Sequence, residues 1–178
     1  MAAVVIINRL TGAGPSTTDI TSINTRANTT DIHDTDETAN PIQIPTDATS
    51  KFSYWVVTRL ETTSAPDTLI DNIEWFSDAS NGFGTGVTCV GESASAYTQA
   101  TGTAGDTGLE LTAGNYASLA SAPSDVFAFT SAAPNAIPGN TTDTEEFGDR
   151  MVYQVQVDST AGPGVTPAET WTWRFDET

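Results

Sequence analysis

Two stretches in the last third of the chain alternate apolar and polar residues with period two. DRMVYQVQVD (149–158) sets Met151, Tyr153, Val155 and Val157 on one side, with Val152, Gln154, Gln156 and Asp158 on the other. ETWTWRFDE (169–177) alternates Trp171, Trp173 and Phe175 with Thr172, Arg174 and Asp176. Successive strand side chains point to opposite faces, so each run predicts a half-buried β-strand. The Gly/Pro-rich STAGPGVTPA between them suits a connection rather than an element. The two strands are expected to be neighbours in one antiparallel sheet, with the rest of the chain covering their apolar face.

Earlier segments extend this pattern. Ala3 to Leu10 predicts a short strand through Val4, Val5, Ile6 and Ile7. SYWVVTRLE carries apolar residues on both faces (Tyr54, Trp55, Val56, Val57, Leu60), as a central strand does. LIDNIEWFSD predicts another strand, with Leu69, Ile73 and Trp75 on one face and Asp71 interrupting the alternation. VTCV and VFAFT (126–130) are strand candidates, and 96–99 is a weaker one inside an otherwise irregular SASAYTQATGTAGDTG. One two-turn helix is expected after a Thr112 cap, through Tyr116 and Leu119, stopped by Pro123. Short strands separated by Gly, Pro and Asn turns predict an all-β protein: an antiparallel β-sandwich, immunoglobulin-like or jelly-roll.

From Thr11 to Ser50 the aliphatics thin out to Ile20, Ile23, Ile32, Ile42 and Ile44, too few for a core. The expected organisation is an extended N-terminal arm over residues 1–50 and a sandwich domain over 51–178. Ile6, Ile20, Ile23, Ile42 and Ile44 of that arm are the candidate partner contacts.

Charge narrows the function. Six Lys and Arg stand against 23 Asp and Glu, a formal net of −17 with no basic cluster. Such a surface repels phosphate, so neither nucleic acid nor an anionic membrane is an expected partner. Charged residues make up only 16% of the chain and hydrophobic ones 38%, which argues against a charge-rich disordered chain. No stretch approaches the ~20 apolar residues of a membrane-spanning helix, and MAAVVIINRL lacks the basic start of a secretory signal. Cys89 is the lone cysteine, in an apolar GVTCVG context that predicts a buried, inert thiol.

Candidate chemistry is sparse. The single histidine, His33, lies in DIHDTDE, where Asp31, His33 and Asp36 are the candidate metal ligands. The EF-hand pattern fails there for want of its glycine, and the plainer reading is a solvated acidic loop. GESAS lacks the second glycine of a nucleophile elbow and precedes no helix. No catalytic set and no cofactor is expected, and acid pairs for glycoside hydrolysis have no spacing that singles them out. Exposed tryptophans among Trp55, Trp75, Trp171 and Trp173 would make a sugar-stacking platform; core packing is the better account.

Three phrases, NIEWFSDASNGFGTGV, YTQATGTAGDTGLELTAGNYASL and FGDRMVYQVQVDSTAGPGVTPAETWTWRFDET, appear in that order. Across Tyr54 to Thr178 the text resembles small virion structural proteins of tailed phages and related prokaryotic viruses. The aromatic closing strand running into Phe175-Asp176-Glu177 carries much of this. The resemblance implies a noncatalytic β-sandwich, with capsid decoration or cement proteins as the leading class. It would be made in the host cytoplasm, sit on the outer capsid surface and bind the major capsid protein as a homo-oligomer, with a trimer expected. A tail- or neck-associated virion protein is the nearest alternative, and a carbohydrate-binding or adhesin module the rival from another class.

Overall fold

The alternating runs become two facing antiparallel sheets in the computed structural model, which describes residues 2–36 and 38–178. The larger contains β1 (Val4–Thr11), β2 (Ser16–Asp19), β3 (Lys51–Phe52), β4 (Val56–Ser64), β6 (Val87–Ala94), β9 (Ser124–Asp125) and β11 (Glu146–Val157). Its order is β2-β1-β4-β11-β6-β9, with β3 paired to the end of β11. The smaller contains β5 (Ile70–Ser77), β10 (Asn135–Ala136) and β12 (Trp171–Glu177), in the order β10-β5-β12. A separate two-residue ribbon joins β7 (Gly102–Thr103) to β8 (Thr107–Gly108). The all-β sandwich expected from the strand pattern is the fold observed.

Met151, Tyr153, Val155 and Val157 of β11 point toward the smaller sheet, as their alternation predicts. There they share one core with Val56 and Leu60 of β4, Ile70, Ile73 and Trp75 of β5, and Val87 and Cys89 of β6. Burial pushes the Cys89 thiol well above its ordinary pKa, which fits the inert role expected of it. Phe127, Trp75, Tyr153 and Trp171 form an aromatic knot between the sheets. Trp171 lies 5.3 Å from Trp75, 5.8 Å from Tyr153 and 5.6 Å from Phe127, centroid to centroid.

The expectation that β11 and β12 are neighbours in one sheet is corrected. β12 pairs with β5 in the smaller sheet, with Trp173 opposite Trp75 and Arg174 opposite Glu74. β11 pairs with β4 and β6 in the larger. Tyr153 therefore meets Trp171 across the sandwich interior rather than across a ladder. Period two says that a strand has an apolar face, and both arrangements bury that face equally well.

The other face of the larger sheet is also covered. Leu10, Tyr54, Trp55, Val57, Ala94 and Val152 form a second core with Ala100, Leu111 and Tyr116. The cover is the irregular segment between β6 and β9. Polar groups that would otherwise be stranded hold it down. Gln154, fully buried, donates to the carbonyls of Ser53 (2.7 Å) and Leu109 (2.8 Å) and accepts from the Leu111 N–H (2.6 Å). The Trp55 indole donates to Leu109 O at 2.9 Å, and its ring lies 5.0 Å from that of Tyr116. The Glu92 carboxylate accepts from Ser121 (2.5 Å), Asn135 (3.1 Å) and the Ser93 N–H (2.7 Å), tying the cover to β10 of the smaller sheet.

Four local expectations change. The helix predicted after Thr112 is a pair of turns: Thr112 caps Asn115 through its Oγ1 (3.2 Å), but the chain turns again at Tyr116 to meet Ala94 through Leu119. Residues 126–130 form a short 3-10 helix, Val126–Ala128, capped by Asp125, rather than a strand. Residues 96–99 are irregular, since Tyr97 and Ala100 serve the cover. In β5 the inward residues are Ile70, Ile73, Trp75 and Ser77, not Leu69. Asn72 has φ +48° and forms a bulge opposite Phe175, which lets Ile70 and Ile73 face the same way although they are three apart. A larger bulge interrupts β11, where Gly148 (φ +66°) packs so close to Gly139 that a Cβ on Gly139 would sit 2.6 Å from its Cα.

The extended N-terminal arm over residues 1–50 is not confirmed. β1 is an interior strand of the larger sheet, hydrogen-bonded to β4 from Val4–Ser64 to Leu10–Val57, and β2 folds back on it as a hairpin. Alternation explains this: Val5 and Ile7 face the first core, and Leu10 faces the second. Between β2 and β3 the described residues form no strand but remain anchored, with Asn28 and Thr29 buried and the Asn28 carbonyl accepting from Tyr54 N–H at 2.8 Å.

Because both faces carry cores, a truncation on either should cost similar stability. Trp75→Ala in the first core and Trp55→Ala in the second are each expected to lower the unfolding free energy by about 3–5 kcal/mol in urea titrations. A loss below about 1 kcal/mol for Trp55→Ala would mean that the cover segment is not part of the cooperative fold.

Candidate functional site

The acidic stretch around His33 is organised by an arginine. Arg9 of β1 is 1% exposed, and its guanidinium donates to Thr25 Oγ1 at 2.5 Å and to the Arg26 carbonyl at 2.6 Å. Burial lowers its pKa, while Tyr153, Asp31 and Asp34 act in the opposite direction, favouring the charged form. His33 Nδ1 lies 3.3 Å from the same Thr25 hydroxyl. Its pKa is lowered by desolvation and then by Arg9, with Asp34 opposing.

Among the described residues, no group of three or more His, Cys, Asp and Glu side chains is placed to hold a metal ion. The three candidate ligands serve other partners. Asp31 Oδ2 accepts from Gly12 N–H at 2.9 Å, and Asp36 Oδ1 accepts from Thr38 N–H and hydroxyl, both at 2.8 Å. These local bonds hold the Asp36 carboxyl below its ordinary pKa. The segment braces a buried cation: Asp31 ties it to the β1–β2 hairpin at Gly12, and Asp34 and Asp36 hold local turns.

The candidate partner contacts scatter. Ile6 is half-buried in β1, Ile20 is half-buried with its N–H on Ile7 O (2.8 Å), and Ile42 packs against the first core. Ile23 and Ile44 are exposed, as is Ile32. Trp55 and Trp75 are fully interior and so offer no surface for a sugar to stack on.

Trp171, Trp173 and Phe175, expected as core, pack against the first core but are not fully enclosed by it. They are half-buried, and with Ala3, Val5 and Ile7 of β1's side and Leu60 they line a cleft of about 380 Å³. Among the described residues its lining is apolar apart from Thr21 and Thr172, and none of the lining residues is charged. The cleft exists because the sheets differ in width: the larger continues through β1 to β2, whereas the smaller stops at β12.

The backbone along this edge has a definite direction. Leu69 and Thr178 exchange both backbone hydrogen bonds (3.0 and 2.9 Å), and Ile70 and Thr141 do the same on the opposite side of β5 (2.9 and 3.0 Å). In an antiparallel ladder such pairs alternate. Thr172, Arg174, Asp176 and Thr178 therefore direct their N–H and C=O groups at β5, while Trp171, Trp173, Phe175 and Glu177 direct theirs at the open edge. The aromatic side chains and the outward backbone groups belong to the same residues. Alternation in the sequence could reveal the aromatic face, but only the pairing partner reveals which edge is free.

Positive charge is already engaged around the body. Lys51 pairs with Asp106 (2.8 Å), Arg59 with Glu146 (3.2 Å) and Arg174 with Glu74 (2.6 Å), and Arg174 also lies over the Phe76 ring at 5.1 Å. The acidic surplus on the surface stays unneutralised. Compared with known proteins, the chain matches no family model, no curated protein and no solved structure.

Two measurements check the His33 brace. A histidine whose folded pKa lies below its unfolded value of 6.5 contributes stability that is complete above that value and is lost as pH falls below it. The urea midpoint should thus drop from about pH 7.5 to about pH 5.5, and His33→Gln should flatten the drop. Melting in EDTA and in added Ca²⁺ should give the same Tm; a rise with Ca²⁺ that disappears in Asp31→Asn would restore the cation reading.

Proposed function

We propose that this chain is a noncatalytic virion structural protein, a decoration or cement protein that binds the major capsid protein on the outer face of the shell. The observation that carries the reading is the open β12 edge beside an apolar cleft. It is a surface suited to holding another chain, and it brings aromatic and aliphatic side chains together where an active site would gather titratable ones. The acidic exterior supports the same reading, because it is tolerable outside a shell whose interior holds nucleic acid. So does the phrase-level resemblance from Tyr54 to Thr178. A homo-oligomer, with a trimer as the expected form, would let several copies bridge neighbouring shell subunits.

Contacts would come from the cleft and the exposed isoleucines, Ile23, Ile32 and Ile44, rather than from a detached arm. A tail- or neck-associated position is the alternative within the same class. The carbohydrate-binding alternative loses support because Trp55 and Trp75 are interior, and the rings that reach the surface line a cleft with few hydrogen-bonding groups for sugar hydroxyls.

Stoichiometry in purified particles tests the proposal. The chain should copurify at a fixed, high ratio to the major shell protein and be shed without loss of the shell when it is stripped. A few copies per particle would move it to the tail or neck, and absence from particles would overturn the reading.

A further inference from the structure

We infer that the open edge of β12 is a docking site for one extended strand donated by a partner protein. That strand would be apolar at alternate positions toward the cleft and neutral or basic at the positions between. The strand would extend the smaller sheet to β10-β5-β12-partner. Three observations meet at this place. The outward N–H and C=O groups of Trp171, Trp173 and Phe175 supply a ladder that has no neighbouring strand among the described residues. Their side chains, with Val5, Ile7 and Leu60, supply a cleft for every second side chain of the incoming strand. From Trp171 to Phe175 the edge has few of the devices that usually keep strands apart: it has no proline, its bulge lies on the β5 side at Asn72, and the inward side chains there are all aromatic, the one inward charge being Glu177 at the end of the strand, which accepts from the Ala3 N–H at 2.6 Å.

The occupant follows from the overhang. A second copy pairing β12 against β12 would turn about an axis perpendicular to the sheet, placing both larger sheets on the same side. Each larger sheet runs past β12 through β1 and β2, so the two would contest the same space. A lone strand has no such body. It would lie over β1 and cover Ala3, Val5 and Ile7, which the smaller sheet leaves half-exposed. Its outward side chains would sit on a molecule of net charge −17, beside Asp176 and beside an Arg174 already committed to Glu74. That favours Lys or Arg over acids at those positions. The inference shares the open edge with the virion reading but goes beyond it, since it concerns what the edge binds and not the identity of the strand's owner.

Hydrogen exchange on the full chain provides the test. In the free protein the Trp171, Trp173 and Phe175 amides should exchange fast, while those of Thr172 and Arg174 are protected. The probes are synthetic peptides of about eight residues, with Val, Ile, Leu or Phe at every second position and Lys or Thr between. They should slow the three fast amides roughly tenfold or more. N-methylation of the peptide along one edge should abolish this, and along the other edge leave it intact, a contrast that does not depend on any variant folding. Slow exchange of those amides in the free monomer, or no effect from any alternating peptide at millimolar concentration, overturns the inference. Protection that appears only with self-association overturns it in favour of a second copy. Because the readout needs no particles, its failure is separable from a failure of the capsid assignment.

Discussion

Gln154 occupies the face of β11 that a two-layer sandwich would ordinarily leave in water, and its amide is what lets irregular chain cover that face. A buried hydrogen bond adds only about 0.5–1.5 kcal/mol net, whereas a buried polar group left without a partner costs about 1–3 kcal/mol. The side chain therefore acts as a constraint more than as a source of energy. The segment from Leu109 to Leu111 must lie where it satisfies the amide, and once it lies there Trp55 and Tyr116 can pack beneath it. The central strands β4 and β11 are then enclosed on both sides, with Val56 and Val57 in different cores. The apparently polar side of β11 is interior for this reason.

Enclosing one sheet so fully has a counterpart in the other. The smaller sheet has three strands, and its aromatic inner face, centred on Trp171, is anchored well where it lies over β11 and less so toward β1. Trp171 is held by Trp75, Tyr153 and Phe127, while Trp173 and Phe175 border the cleft. Close aromatic packing toward β11 and an open cleft toward β1 come from the same mismatch of widths. The acidic surface then biases what can approach the edge, favouring a basic or neutral segment over an acidic one.

Strand existence was legible in the sequence wherever alternation was strict, as in residues 149–158 and 169–177, and the two-faced burial of β4 was legible from Tyr54 to Leu60. Partnership was not, because a Gly/Pro connection can carry the chain to the next strand or to the opposite sheet with equal ease. The polar residues from Thr11 to Ser50 suggested an arm, since hydrophobic counting ignores how much a buried Arg9, Asn28 and Thr29 can organise through hydrogen bonds. VFAFT has strand composition, yet Asp125 caps a 3-10 turn there and Phe127 is delivered to the aromatic knot instead. As for the site, the aromatic row was visible as apolar, but the free edge depends on register with β5, which no local pattern encodes.

Cys89 gives the central sheet a built-in clock. It lies on β6 opposite Val155, 1% exposed, and burial holds its thiol protonated far beyond neutral pH. A thiol in that state is invisible to alkylating reagents while β6 and β11 stay paired. With no other cysteine in the chain, every alkylation event would record an opening of the sheet's interior, separate from fraying at β2 or β12. The residue that has least to do with partners thus reports most directly on how often the body that presents them comes apart.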